Sequence, residues 1–174
     1  MVAGAWATKL KPMDTLGLIL AVVDPTAGEQ PALAKAGRLA EASGACLRVF
    51  CVDRDPRLVA RLLLDPAGLT AARAAWLAAR RDWLIGLAEP FARAGIRTEV
   101  EAAWDGPLHA AILREVGLCG PDLVVKDTHW HGPLRRGLFT STDRYLGQDC
   151  PAPLLLAKPR PWATRPRVGA AGGP

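Results

Sequence analysis

Five short apolar segments alternate with stretches of helical spacing along this chain. The first, residues 16–24 with the sequence LGLILAVVD, is almost wholly apolar and ends at an acid. Such an unbroken run is typical of a strand that is buried on both faces of a parallel sheet. Similar runs predict four further strands, at residues 46–53, 97–104, 121–126 and 152–158.

The connections between these strands carry apolar residues at helical spacing. They predict helices at residues 31–44, 70–95, 105–117 and 140–148. Residues suited to N-capping stand at three of the predicted starts: Thr70, Asp105 or Gly106, and Thr140 or Ser141. Alternating strands and helices predict an α/β fold with a mostly parallel sheet, and such sheets bind ligands at the carboxyl ends of their strands.

Length and composition predict one globular domain. The chain has 174 residues, half of them hydrophobic, which is enough to bury a core. Its longest strongly apolar run, residues 16–23, is far shorter than the roughly 20 residues that a membrane-spanning helix needs. We therefore expect a cytoplasmic protein without a membrane partner, with a lead at residues 1–12, a domain at 13–158 and a tail at 159–174.

The positive charge of the chain is concentrated near its C-terminal end. The formal net charge is +5, and a Pro/Gly-rich segment without acids holds Lys158, Arg160, Arg165 and Arg167. Because the rest of the chain is close to neutral, we do not expect the domain to bind nucleic acid. The basic segment is predicted to be a flexible end.

The four cysteines show no C-x-x-C pair and no zinc-finger spacing. Cys46 and Cys51 are five residues apart on one predicted strand, so their side chains point to opposite faces and cannot easily bridge. Reduced, buried thiols are the expected state.

Three strings resemble strands of the universal stress protein family. They are LILAVVDPT at residues 18–26, PDLVVKDTHW at 121–130 and CPAPLLLAKP at 150–159. The similarity extends over residues 13–160, and the patterns K-x-x-H-x-H and F-T-x-T-D are similar to the branch found in tandem two-domain members. The resemblance implies a single-domain, Rossmann-like fold of the adenine nucleotide alpha hydrolase type, with five parallel strands in the order 3-2-1-4-5 between helices.

The loop after the fourth predicted strand has lost the glycines that ATP-binding members of this family use. Their pattern is Gly, two residues, Gly, nine residues, then Gly followed by Ser or Thr. The same spacing here places Asp127, Trp130, Thr140 and Ser141 at these positions. Glycine lets backbone N–H groups approach phosphate, whereas a carboxylate about 4 Å away repels it by roughly 1 kcal/mol in water. ATP or AMP binding is therefore expected to be disfavoured.

The resemblance also implies a small ligand pocket at this rim. Asp24 matches the position whose carboxylate contacts a nucleoside, and Val52 matches the residue whose backbone meets adenine. Asp24 has an alternative role, because its carboxylate could accept N–H bonds from the next turn. The side chains that suit an anion at the rim are Lys126, Arg135, Arg136 and Ser141. Weak or altered binding of a small anionic or nucleotide-like ligand is the expected activity.

His129 and His131 allow an alternative of another class, a small zinc-dependent hydrolase or metal-binding protein. Alternate residues of an extended segment point the same way, so the two imidazoles suit zinc together with Asp127 or Asp24. They are equally consistent with histidines that are simply hydrogen-bonded in the loop. In the family's strand order His109 would lie roughly 14 Å from this loop, because two strands separate strands three and four.

Catalysis has little support, since the chain has no G-x-S-x-G elbow. We therefore expect a stress-response or adaptor protein with a rim pocket rather than an enzyme. The family resemblance further implies a homodimer, formed through strand five.

Overall fold

The computed structural model describes residues 16–53, 65–104, 106–128 and 141–158. These residues form alternating strands and helices. In chain order they are β1 (Leu18–Val23), α1 (Pro31–Ser43), β2 (Cys46–Val52), α2 (Pro66–Arg93), β3 (Thr98–Ala103), α3 (Leu108–Cys119), β4 (Leu123–Asp127), α4 (Ser141–Asp149) and β5 (Leu154–Ala157).

The strands form one sheet in the order β3-β2-β1-β4-β5, and every neighbouring pair is parallel. β1 lies at the centre, with Leu20 beside Arg48 of β2 on one side and Val124 of β4 on the other. From β1 the chain builds the sheet first toward β3 and then back toward β5, so the boundary between β1 and β4 is the topological switch point. The predicted fold class and strand order are confirmed.

The core has two layers because successive residues of a strand point to opposite faces of the sheet. On one face Ile19, Ala21 and Val23 of β1 pack with α1 and α2. On the other face Leu20 and Val22 pack with α3 and α4. All five of these side chains are buried, as the unbroken apolar run predicts for a strand covered on both sides.

The long helix α2 begins earlier than the sequence pattern predicts. Its N-cap is Asp65, whose side chain accepts a hydrogen bond from the backbone N–H of Gly68 at 2.9 Å. Thr70 is not the cap: it lies inside the helix, and its hydroxyl donates to the carbonyl of Pro66. Pro66 at the first helical position needs no hydrogen-bond acceptor, so an Asp-Pro start suits a helix well.

The predicted cap of α3 is also wrong in detail. The N-cap of α3 is Pro107 rather than Gly106, and no side chain caps this helix; Asp105 lies outside the described residues. α4 is described from Ser141 onward, and Thr140 lies outside the described residues, so the predicted cap of this helix stays a prediction. Both helices pack into the core, through buried Ile112 and Leu146.

The structure bears on the expected absence of a membrane-spanning helix and on the expected reduced state of the cysteines. No helix in the described parts of the chain is long and apolar enough to span a membrane. All four cysteines are free thiols, and Cys46 and Cys51 are both buried.

Candidate functional site

A pocket of about 110 Å³ lies at the carboxyl edge of the sheet, at the switch point. We call it the rim pocket, and its lining residues are Val22, Val23, Asp24, Pro25, Val52, Leu108, Lys126 and Asp127. They come from the ends of β1, β2 and β4 and from the start of α3. Four predicted site residues therefore meet in one cavity: Asp24, Val52, Lys126 and Asp127.

Asp24 follows β1 and organises the turn after it. Its Oδ1 accepts hydrogen bonds from the backbone N–H of Thr26 at 2.8 Å and from the hydroxyl of the same residue at 2.7 Å. This is the turn-forming role that the sequence left open for an aspartate at a strand end. The carboxylate thus has a structural use at the pocket wall besides any contact with a ligand.

Gln30 holds the same connection from the other side, a role that no sequence pattern indicates. Its side-chain amide donates to the carbonyl of Asp24 at 2.6 Å and accepts from the backbone N–H of Asp24 at 3.1 Å. The amide therefore bonds to both backbone groups of Asp24, as a neighbouring strand would. These hydrogen bonds hold the backbone between the end of β1 and the start of α1 at this edge of the rim pocket.

Asp127 is the last residue of β4 and is almost fully buried. Its Oδ1 accepts a hydrogen bond of 2.8 Å from the backbone N–H of Ala32, in the first turn of α1. The Asp127 side chain therefore caps a neighbouring helix. A carboxylate at a helix N-terminus is also favoured by the helix dipole.

Lys126 points inward, and Asp143 of α4 faces it. The Lys126 ammonium donates to Asp143 Oδ1 at 3.0 Å and to the carbonyl of Asp127 at 2.7 Å. The side chains of Lys126 and Asp143 are 6% and 0% exposed, so the pair is shielded from water. The cation predicted to attract an anionic ligand is therefore engaged by a buried carboxylate.

A network of tryptophans and one arginine supports the end of β2, beside Val52. Arg80 of α2 donates to Asp53 Oδ2 through Nε at 3.1 Å and through Nη2 at 2.5 Å. Its guanidinium also lies 5.2 Å from the centre of the Trp76 ring and 5.9 Å from that of Trp83. Trp76 in turn meets Trp104 edge-to-face. The spacing i, i+4, i+7 places Trp76, Arg80 and Trp83 on one face of a helix, and this sequence signal could have indicated the network.

Cys51 lies in β2 next to this network. Burial raises the pKa of its thiol to about 12, and the nearby positive charge of Arg80 opposes that rise. A thiol in this state is neutral at physiological pH and is a poor nucleophile. Cys51 is thus a core residue rather than a reactive one.

His109 lies near the start of α3, and its predicted separation from the loop that carries His129 and His131 stays a prediction, because that loop lies outside the described residues. Its ring stacks on Tyr145 of α4, with 4.5 Å between the ring centres and 21° between the planes. The two rings meet because α3 and α4 pack directly against each other on one face of the sheet.

The remaining predicted site residues lie outside the described residues: His129, Trp130, His131, Arg135, Arg136 and Thr140. Ser141 is described only as part of the α4 backbone. Within the described ranges no group of three or more His, Cys, Asp or Glu side chains could hold a metal ion.

Fold and site together define a Rossmann-like α/β protein with a small pocket at the topological switch point of one parallel sheet. Residues 17–158 match the model of the Universal stress protein family. The chain belongs to the universal stress protein family, so the predicted family is confirmed.

Relatives and solved structures agree with this assignment. Universal stress protein E of Escherichia coli (strain K12) is 34% identical over 144 residues, which are 83% of this chain and 46% of that protein. Universal stress protein UspA from Lactobacillus plantarum has a TM-score of 0.63 at 21% identity, over 82% of this chain and 98% of that one. A putative universal stress protein from Pseudomonas aeruginosa UCBPP-PA14 has a TM-score of 0.62 at 25% identity, over 86% of this chain and 46% of that one. The chain thus spans about half the length of the curated relatives it matches.

Proposed function

We propose that this protein is a stress-response adaptor that acts by binding rather than by catalysis. Family membership supports the stress-response role. In this proposal the rim pocket binds a nucleoside-like ligand weakly, and binding of a triphosphate is reduced. The buried ion pair between Lys126 and Asp143 is the observation that carries the statement about the ligand.

A phosphate at the rim would have to compete with this pair. Removing one partner from a buried ion pair costs about 3–5 kcal/mol, because the other charge is left without compensation. Asp127 is held at the same wall by its bond to Ala32, and its carboxylate repels an approaching phosphate. Both features act against anions at the place where ATP-binding relatives hold phosphates.

The rest of the rim pocket suits an uncharged group of modest size. Apolar side chains supply most of its wall: Val22, Val23, Pro25, Val52 and Leu108. Asp24 and the backbone around it add polar groups that can orient a ligand. The volume of about 110 Å³ is well below the roughly 300–1,000 Å³ of typical ligand pockets, so a base or a sugar suits it better than a whole nucleotide.

Calorimetric titration with adenosine, AMP, ATP and cyclic AMP tests this proposal. We expect millimolar-range binding of adenosine, with no gain in affinity as phosphates are added. Leu108→Phe should weaken this binding because it fills the pocket, whereas Leu118→Phe, on the same helix but 75% exposed, should not. Absence of binding for all four compounds would end the proposal, and tighter binding of ATP than of adenosine would end its statement about phosphates.

We further propose a homodimer formed through β5. Among the described strands β5 lies at one end of the sheet, and its Leu155 side chain is 37% exposed. An edge strand with an exposed leucine is suited to pairing with a second copy. Light scattering at micromolar concentration should show a dimer that Leu155→Lys dissociates and Leu118→Lys does not. A wild-type monomer would refute this part of the proposal.

A further inference from the structure

A second and larger cavity lies between the start of α1 and the residue that follows β5. Its volume is about 280 Å³, close to the lower end of the roughly 300–1,000 Å³ of ligand pockets. We call it the α1–β5 groove, and its lining residues are Glu29, Gln30, Pro31, Ala34, Lys35, Arg38 and Lys158. None of them lines the rim pocket.

Three cations converge on this groove from two elements. Lys35 and Arg38 are three residues apart on α1, so they are neighbours on one helical face. Lys158 directly follows β5, and the small side chain of Ala34 also lines the groove. Among its described lining residues Glu29 is the only acid, so the formal charge of these ionisable residues is positive.

Lys35 is half-buried, and Arg38 and Lys158 are exposed. Arg48, Arg80 and Lys126 each form an ion pair with a carboxylate. Within the described residues, no ion pair or side-chain hydrogen bond engages Lys35, Arg38 or Lys158. Their charges remain available to a bound anion.

We propose that the α1–β5 groove is a binding site for a small phosphoryl-bearing anion. An arginine fork binds two phosphate oxygens at once, and lysine ammonium groups add point charges around it. The rim pocket offers less for such a ligand, because its lysine is engaged by Asp143. In this chain the anion site therefore lies on the α1 side of the sheet, beside the edge strand, rather than at the rim.

Calorimetric titration with inorganic pyrophosphate in low-salt buffer tests this inference. Wild-type protein should bind it, and Lys158→Ala should weaken binding roughly threefold to tenfold. Glu29→Gln removes the one acid among the described lining residues and should tighten binding, a gain that damage to the fold cannot produce. Arg97→Ala removes the same charge from the exposed residue before β3, at the opposite edge of the sheet, and should leave the affinity unchanged.

Three results would overturn the inference. The first is absence of pyrophosphate binding by wild-type protein at millimolar concentration. The second is an equal loss of affinity in Lys158→Ala and Arg97→Ala, which would show a general effect of net charge. The third is loss of binding in Leu108→Phe but not in Lys158→Ala, which would place the anion in the rim pocket.

Discussion

The carboxylate of Asp127 accepts a hydrogen bond from the backbone N–H of Ala32, with 2.8 Å between Oδ1 and N. The first turn of a helix has N–H groups without partners inside the helix, and the side chain of the N-cap residue, Gln30, forms no capping bond in α1. Asp127 supplies that bond from the end of β4. An acid at this position therefore has a structural reason that is independent of any ligand.

Replacing Asp127 should destabilise the protein even in the absence of ligand. We expect Asp127→Ala to lower the free energy of unfolding by about 1–3 kcal/mol, through loss of the cap and of a buried hydrogen bond. Asp127→Asn keeps an acceptor oxygen in the same place and should lose less. Urea denaturation followed by circular dichroism measures both, and an unchanged midpoint for Asp127→Ala would show that the cap contributes nothing.

The Lys126–Asp143 pair should show strong coupling in a double-mutant cycle. Lys126→Met and Asp143→Leu should each cost about 3–5 kcal/mol, because each removes one charge of a buried ion pair. The double variant replaces both charges with apolar groups, so its cost should be well below the sum of the two. If either single variant fails to fold, the double variant should still fold. Additive losses across the cycle would contradict the pairing.

The layout of the fold could be predicted because it depends on periodicity. An unbroken apolar run such as β1 and the helical spacing of α1 are local signals, and both elements begin and end close to the predicted positions. The start of α2 was misplaced because Asp65 and Pro66 were assigned to the preceding connection, although an Asp-Pro pair is a good helix start.

The rim was harder to predict, because its decisive contacts join residues far apart in the chain. Sequence position brings Lys126 and Asp127 to the correct edge, but it does not reveal which partner each side chain binds. Ala32 and Asp127 are 95 residues apart, and Lys126 and Asp143 are 17 apart. Both side chains were predicted to face a ligand, and the structure gives each a partner within the protein.

Gly37 of α1 lies against the ring of Phe91 in α2, so a larger residue at this position should destabilise the protein. A Cβ atom at this position would overlap the ring of Phe91, so Gly37→Ala should cost about 1–3 kcal/mol of stability despite the better helix propensity of alanine. Gly117 of α3 is the matched control: a Cβ there would meet nothing within 4 Å, and Gly117→Ala should stabilise by up to about 1 kcal/mol.

Thermal or urea denaturation of these glycine variants separates the cost of the clash with Phe91 from the gain in helix propensity. Adding Phe91→Leu to Gly37→Ala should recover part of the lost stability, since it removes the ring that the new methyl group meets. Equal effects of alanine at Gly37 and Gly117 would show that the contact with Phe91 places no constraint on α1.

Cys51 should make stability depend on pH under alkaline conditions. Burial raises the pKa of this thiol from 9.0 to about 12 in the folded protein, so the fold favours the neutral form. In the unfolded chain the thiol ionises near its ordinary value. The stabilisation is therefore fully present below pH 9 and is lost as the pH rises from 9 toward 12.

Urea denaturation of wild type and Cys51→Ala at pH 7.5, 9 and 10.5 separates the contribution of this thiol from the contributions of other groups that titrate in the same range. The difference in unfolding free energy between the two should narrow as the pH rises. Val49→Ala, a core substitution on the same face of β2 with no titrating group, should show a difference that stays constant. A constant difference for Cys51→Ala as well would mean that the folded protein tolerates the ionised thiol.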